Sequence, residues 1–532
     1  VGRRRAFSAL QRWRKSHPVG LFLTGCVVVA VLLVPLAFVV LQGEQVGWSA
    51  LHHYIFEESD AYLLWNTVRL MIAVTLACAF IGVGAALCTE RLNIPGRRLF
   101  AVLVVLPLAI PDFVVGYAWS SLSPSIYGYP AAVLVMTLSL YPLVYLPVAA
   151  TLRRADPGLD EVARSLGCSR FRRFSRVIVP QVRIAVLGGC LIVSLALFAE
   201  YGAFEILRFQ TFTTEIFTEI DVAQPSVASA LSLVLVLLGV LVLIGELFAS
   251  GRRRVARVGP GAARPNERHD PGPWKIVAIV GMVVLSALGL GVPVATLVYW
   301  LIVGGSTTVP TASIVAALGY TVLYSGLAAV SATILAIPIA LLVVRHRGRL
   351  TIILERCAFI SQSLPGVVIA LALVFFATRY FFSFYESSEE LVLSYVVLFF
   401  PFALVGVRAA VAQAPTGLEE IARSLGCSPI KAWRKVTLPL VAPGIGAAFS
   451  LVFLSAVTEL TATLLLRPTG VETLATQFWV YEANLSYGAA APYAALIVAI
   501  AAVPTFVLSR WFDRRTNTRR GNREVAGLDV AR

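Results

Sequence analysis

Long apolar runs alternate with short basic segments along almost the whole chain. A helix needs about 20 mostly apolar residues to cross a hydrocarbon core. Runs of that kind fall at 19–41, 63–88, 99–121, 130–151, 184–203, 225–249, 276–303, 314–344, 353–378, 391–411, 442–458 and 488–509. The pattern predicts an all-α membrane protein of about twelve transmembrane helices, with both termini on the same side. Arg3, Arg4, Arg5, Arg12, Arg14 and Lys15 precede the first run, which is too long for a typical signal-peptide core and lacks a clear small-residue cleavage site. It reads as a retained signal anchor that keeps the basic N-terminus cytoplasmic.

Composition agrees: 58% of the 532 residues are hydrophobic and 14% charged, against about 25% charged in soluble domains. The net charge of +15 invites a nucleic-acid partner, but the basic residues lie in clusters between apolar runs rather than along one surface. Segments 1–18, 89–98, 152–183, 250–275, 345–356, 408–441 and 510–532 hold 40 of the 44 Lys and Arg, leaving Arg69, Arg208, Arg379 and Arg467. The charge is therefore a positive-inside signal that makes those segments cytoplasmic, and nucleic acid is excluded as a partner. The seven cysteines form no C-x-x-C pair and read as small buried hydrophobes.

The chain also repeats itself. Residues 161–168 and 420–427 agree at seven of eight positions, at an offset of 259 that also carries Pro142 onto Pro401, Pro180 onto Pro439, Glu200 onto Glu459 and Arg208 onto Arg467. Nearer the start of each half the offset is 254, matching Thr67 with Thr321 and Pro111 with Pro365. Six spans per half make the copies parallel and the molecule a pseudodimer. The expected organisation is a basic N-terminus (1–18), a first transmembrane repeat (19–250) with a loop at 152–183, a linker (251–275), a second repeat (276–510) with a loop at 411–441, and a cytoplasmic tail (511–532). Since the strongest copies lie in the loops, one surface is used twice, as a two-fold symmetric partner would demand.

Within each loop the local physics predicts a two-helix knob on the membrane surface. Leu159 to Leu166 is helix-compatible, Gly167 permits a turn with φ > 0, and Pro180 can start the next segment. The motif E-A-A, three residues, G, nine residues, I-x-L-P is matched by Glu161, Val162, Ala163, Gly167, Val177, Val179 and Pro180. It is matched again by Glu420, Ile421, Ala422, Gly426, Val436, Leu438 and Pro439, with only aliphatic swaps. Two such loops in twelve spans resemble the permeases of ABC importers, the membrane components of binding-protein-dependent uptake systems. The resemblance covers nearly the whole chain and implies the fused form of the type I fold. It also implies that Glu161, Ala163, Gly167, Pro180, Glu420, Ala422, Gly426 and Pro439 couple the permease to two ABC ATPase subunits, expected as a homodimer.

No P-loop is present, since none of the four lysines follows a glycine. The chain is thus expected to be no enzyme and to carry no cofactor, ATP and Mg being bound by the partner subunits. An amphipathic loop resting on headgroups, favoured by Arg164, Arg170, Arg172 and Arg173, is the competing reading of the first loop.

The segments after Phe198 and Thr458 resemble the iron(III) branch of the family, with the thiamine, polyamine, sulfate and phosphonate branches close by. Iron(III) prefers oxygen ligands, so Glu200, Tyr201, Glu459, Asp112 and Tyr117 are candidates for the translocation path. An ion pair of Glu200 with Arg208, and of Glu459 with Arg467, competes with that role. Arg208 and Arg467 are candidates for docking an extracytoplasmic binding protein. Two motifs are set aside: residues 90–98 have the wrong spacing for a major-facilitator loop, and His52-His53 with Glu57 and Glu58 read as an exposed loop rather than a metal site. A bacterial-type inner membrane is the expected location, and a secondary carrier is the competing class.

Overall fold

The computed structural model describes residues 19–46, 58–154, 162–222, 224–250, 270–304, 311–346, 348–361 and 364–502. The basic N-terminus, most of the linker, Glu161, His52-His53 and the C-terminal tail lie outside them. The architecture is all-helical.

Among the described residues each of the twelve apolar runs is largely helical, but not each is one membrane-length helix. Eight pass by length and composition: Ala61–Glu90, Gly128–Arg153, Phe174–Ala199, Ser226–Glu246, Trp274–Val303, Thr311–Arg345, Ser388–Ala412 and Trp433–Val457. Two more are pairs bent at a short break, Val19–Leu32 with Val34–Gln42 by 42° and Arg97–Ala109 with Asp112–Ser120 by 94°. Gly366–Tyr380 and Tyr487–Ala502 are shorter apolar helices.

The expected continuous runs 99–121 and 353–378 are thus corrected: both are broken, at the matched prolines Pro111 and Pro365. Proline has no N–H to donate and forces the residue before it out of the helical region. Ile110 accordingly sits at φ −102, ψ 121, in extended conformation. Asp112 and Gly366 then open the two half-helices.

The helices form two compact units that do not coincide with the sequence repeats. One comprises residues 1–38, 309–477 and 495–532. In it the first helix packs against the Thr311–Arg345 helix, where Leu342 Cδ1 is 3.2 Å from where a Cβ on Gly25 would stand. Phe38 meets Phe375 at 4.7 Å between ring centroids.

The other unit comprises residues 39–308 and 478–494. In it the Trp274–Val303 helix lies on first-repeat residues. Trp300 Nε1 donates to Ser121 Oγ at 3.0 Å, and a Cβ on Gly289 would meet Pro107 at 3.4 Å. A π-turn at Ala287–Gly291 interrupts this helix where it crosses Tyr141.

Small residues let the backbones approach, as in membrane bundles generally. A Cβ on Gly189 would stand 2.8 Å from Val144 Cα, and one on Gly444 2.4 Å from Ala410 Cβ.

Candidate functional site

Both loops fold into the same knob. In the second, helix Thr416–Ser424 ends at Gly426, whose φ of +88 only glycine adopts without strain. Gly426 N–H donates to Arg423 O at 3.0 Å and Cys427 N–H to Ala422 O at 3.1 Å. That pair of bonds is the Schellman closure, which satisfies carbonyls a helix end leaves orphaned. The first loop repeats it: Gly167 has φ +73, donates to Arg164 O at 3.0 Å, and Cys168 N–H donates to Ala163 O at 3.0 Å.

A second helix follows each turn, and here Pro180 and Pro439 correct an expectation. They do not begin a new segment but lie within a continuous helix, just past π-turns at Phe174–Ile178 and Trp433–Thr437. Val179 N–H reaches back to Phe174 O, and Leu438 N–H to Trp433 O, one residue further than in an α-helix. The wider turn relieves the clash between a proline ring and the carbonyl four residues before it. The helices therefore run from Arg170 and Pro429, well before the apolar stretches at 184 and 442, and join knob to span without a break.

Each knob turns its alanine inward and its large apolar residues outward. Ala163 and Ala422 are both 9% exposed, while Leu166 and Leu425 are 76% and 80% exposed. Val162 and Ile421 are exposed as well, as is Glu420. Glu419, one residue earlier, is the inward carboxylate: it accepts from Arg345 Nη1 at 2.6 Å and from the Thr437 hydroxyl. Burial pushes the Glu419 carboxyl up, but the Arg345 and Thr437 hydrogen bonds and the Arg345 charge outweigh it and hold the group below its ordinary value.

At the other end of each unit a second duplicated arrangement appears. Glu200 Oε1 accepts from Ala203 N–H at 2.7 Å and Glu459 Oε1 from Ala462 N–H at 3.0 Å. Both carboxylates thereby cap the short helices Gly202–Ile206 and Thr461–Leu466. The next short helix in each repeat is pinned to a span: Phe212 N–H donates to Thr67 Oγ1 at 3.1 Å, and Leu474 N–H to Thr321 Oγ1 at 2.8 Å. The first helix is closed by a Thr211–Thr214 capping box, and Thr473 and Thr476 exchange the matching bonds in the second.

The comparisons with known proteins agree with this geometry. Residues 79–254 and 332–518 each match the family of binding-protein-dependent transport system inner membrane components. Along 484 residues the chain is 36% identical to the Fe(3+)-transport system permease protein FbpB 2 of Haemophilus influenzae, covering 90% of this chain and 96% of that relative. The chain belongs to this family of ABC importer permeases.

Among other relatives, the probable ABC transporter permease protein y4fN of Sinorhizobium fredii is 24% identical over 71% of this chain and 74% of its own. The sulfate transport system permease protein CysW of Escherichia coli K12 is 26% identical over 37% of this chain and 72% of its own.

Four of the candidate residues of the permease are brought together by two packed helices, Asp112–Ser120 and the Gly202–Ile206 helix that follows Glu200 and Tyr201: a Cβ on Gly116 would stand 3.5 Å from Ala203 Cα. Asp112 is half-buried at the start of a half-helix. Tyr117, on the same helix, donates its hydroxyl to Tyr487 O at 2.7 Å. Tyr201 stacks on Phe217 at 4.2 Å. Among the described residues no three His, Cys, Asp or Glu converge to hold a metal ion.

In place of the competing Glu459–Arg467 ion pair, Arg467 pairs with Glu472, and Glu459 is engaged by the Ala462 amide. Arg208 is exposed at φ +53, and its charge acts on Glu482. Glu482 is 7% exposed and its carboxyl is pushed up to about 7, first by burial, then by Glu205, with Arg208 opposing. Glu205 is itself raised by burial and by Asp221.

Sequence reading missed Glu205, Asp221 and Glu482 because none has an acidic counterpart in the other repeat. The Glu419 latch was legible only as one more acidic residue beside the motif.

Proposed function

We propose that this permease forms the alternating-access conduit for ferric iron, delivered by an extracytoplasmic binding protein and driven by two copies of an ABC ATPase. The cargo rests on the resemblance to the Fe(3+)-transport permease along 90% of the chain. The ATPase partners rest on the two knobs. Two bulky apolar side chains held 76% and 80% exposed at matched positions are costly in water and suit a partner's groove. In this reading Glu161 and Glu420 make polar contacts at that groove, Gly167 and Gly426 set the bend, and the knob-to-span helices carry the partner's closing motion. Both termini then face the cytoplasm, and Arg208 and Arg467 meet carboxylates of the binding protein's lobes. Arg467 does so from an existing pair with Glu472. Glu200, Tyr201, Glu459, Asp112 and Tyr117 contribute to the path, with Glu200 and Glu459 setting the short helices beside it.

Reconstitution of the permease with its ATPase and binding protein in proteoliposomes tests the reading. Uptake of radiolabelled ferric iron should require ATP and the binding protein. Leu166→Glu with Leu425→Glu should abolish uptake while the permease stays folded. Uptake of sulfate but not iron would refute the cargo, and iron uptake without ATPase subunits would refute the class.

A further inference from the structure

Of the four basic residues that stand outside the basic segments, Arg69 is the one set inside a membrane-length helix, Ala61–Glu90. It falls on the outward stripe of that helix, where Trp65, Ile72, Leu76 and Phe80 recur at helical spacing and are all exposed. Arg69 itself is half-buried. Its guanidinium carbon stands 4.4 Å from the centroid of the Tyr129 ring and 5.7 Å from that of Phe209. Hydrogen bonds fix both rings: Asn66 Nδ2 donates to Gln210 O at 3.0 Å, and Gly128 N–H to Leu207 O at 2.7 Å. The turn that carries Phe209 is thereby tied both to the helix of Arg69 and to the start of the helix of Tyr129. Among the described residues no carboxylate pairs with Arg69, and its Nε is buried without an acceptor.

A guanidinium keeps its charge, and a charge on the lipid-facing side of a span is costly until an opposite one meets it. The two rings offset part of that cost through their π faces, but they carry no counter-charge. The anion must come from outside the chain. We propose that Arg69 binds the phosphate of a phospholipid headgroup, in the leaflet away from the knobs, and favours an anionic lipid of the phosphatidylglycerol class.

The depth of the residue suits a headgroup. The 30 residues of Ala61–Glu90 make a helix about 45 Å long, against a hydrocarbon core of about 30 Å. Centred on that core, the helix projects about 7 Å at each end, which puts Arg69 Cα about 5 Å below the headgroup boundary. An arginine side chain snorkels that far. Tyr62, Trp65 and Tyr127 are exposed at the same end, as in the aromatic belt of a membrane interface. The opposite end, Glu90, pairs with Arg153, where the chain enters the first knob loop. With Nε closed off, the two Nη groups are left to meet a phosphate through parallel hydrogen bonds, which a guanidinium does better than an ammonium. A zwitterionic headgroup sets its own cation beside its phosphate, so an anionic one has more to gain. In the second repeat the matching position is Leu323, also exposed, so the site is no part of the duplicated machinery.

The test uses the full-length permease in phosphatidylcholine nanodiscs holding a trace of phosphatidylglycerol with a photoreactive diazirine in its headgroup. Peptide mass spectrometry after illumination should find label at residues 62–72 and 127–130. Arg69→Gln should lower that label about tenfold, leaving label at the cytoplasmic basic segments unchanged, and Arg69→Lys should fall between the two. Replacing part of the phosphatidylcholine with unlabelled phosphatidylglycerol should compete the label away from the wild type, whereas dissolved inorganic phosphate should not. That competition needs no variant, so the proposal stays open to refutation if Arg69→Gln fails to fold. Label that phosphatidylglycerol does not displace, or that survives Arg69→Gln, overturns the proposal. Displacement by inorganic phosphate would make this a site for a soluble anion, and weakened binding-protein affinity in Arg69→Gln with label unchanged would make it a docking residue; either overturns the lipid assignment. The labelling depends on neither ATPase, binding protein nor cargo.

Discussion

Replacing Gly426 isolates the backbone strain on which the second knob depends. At φ +88 a Cβ would meet nothing within 4 Å, so substitution there costs conformational strain and no packing. For Ala that strain is about 1–2 kcal/mol; Asn tolerates the left-handed region better, and Val worse because it is β-branched. The two closing bonds, from Gly426 N–H to Arg423 O at 3.0 Å and Cys427 N–H to Ala422 O at 3.1 Å, contribute about 0.5–1.5 kcal/mol each. The strain is therefore comparable to what holds the turn shut. Gly426→Ala should lower the closed-turn population relative to open forms by about 5- to 30-fold, since 1.4 kcal/mol is a factor of ten.

The assay pairs hydrogen exchange over 416–427 with ATP-dependent uptake in proteoliposomes. Exchange should quicken and uptake fall in the order Gly, Asn, Ala, Val. Gly417→Ala is the control, since Gly417 lies inside the Thr416–Ser424 helix with open space about it and no positive φ. That change should be neutral or mildly stabilising. Equal behaviour of Asn, Ala and Val, or an equal loss in the control, would refute the reasoning.

Three further outcomes are expected. Glu482 has a folded-state pKa raised to about 7, so its contribution to stability is fully present below the ordinary carboxylate range and lost as pH rises through 7. Glu482→Gln should therefore raise the unfolding temperature at pH 8 and barely change it at pH 5, as measured by scanning fluorimetry in detergent. Glu419 is held below its ordinary value, so its contribution is present above the unfolded pKa and disappears as pH falls through the folded one. Glu419→Gln should cost about 1–3 kcal/mol at pH 7, and the difference from wild type should shrink in acid, as unfolding curves at both pH values will read. Thr321→Val removes the acceptor for the Leu474 amide in a buried setting, which costs about 1–3 kcal/mol. Exchange should quicken at the N-terminus of the Leu474–Ala483 helix alone.

The sequence by itself determined the solvent, the helical class, the duplication and the chemistry of the knobs. Each follows from a local or one-dimensional rule: run length against bilayer thickness, basic residues against cytoplasmic loops, and glycine against a left-handed turn at 167 and 426. Even the breaks at Pro111 and Pro365 were legible as prolines, though not as bends, because the angle of a bend is set by what the next segment packs on. Tertiary structure alone decided that Glu419 rather than Glu420 faces Arg345, since adjacent positions on a helix differ by 100° and only the neighbouring span makes one of them inward. It also decided that Glu459 caps a short helix while Arg467 turns to Glu472, because the amide of Ala462 competes for the same carboxylate. The apolar pattern shows which residues leave water, but it carries no information on which polar group they meet there.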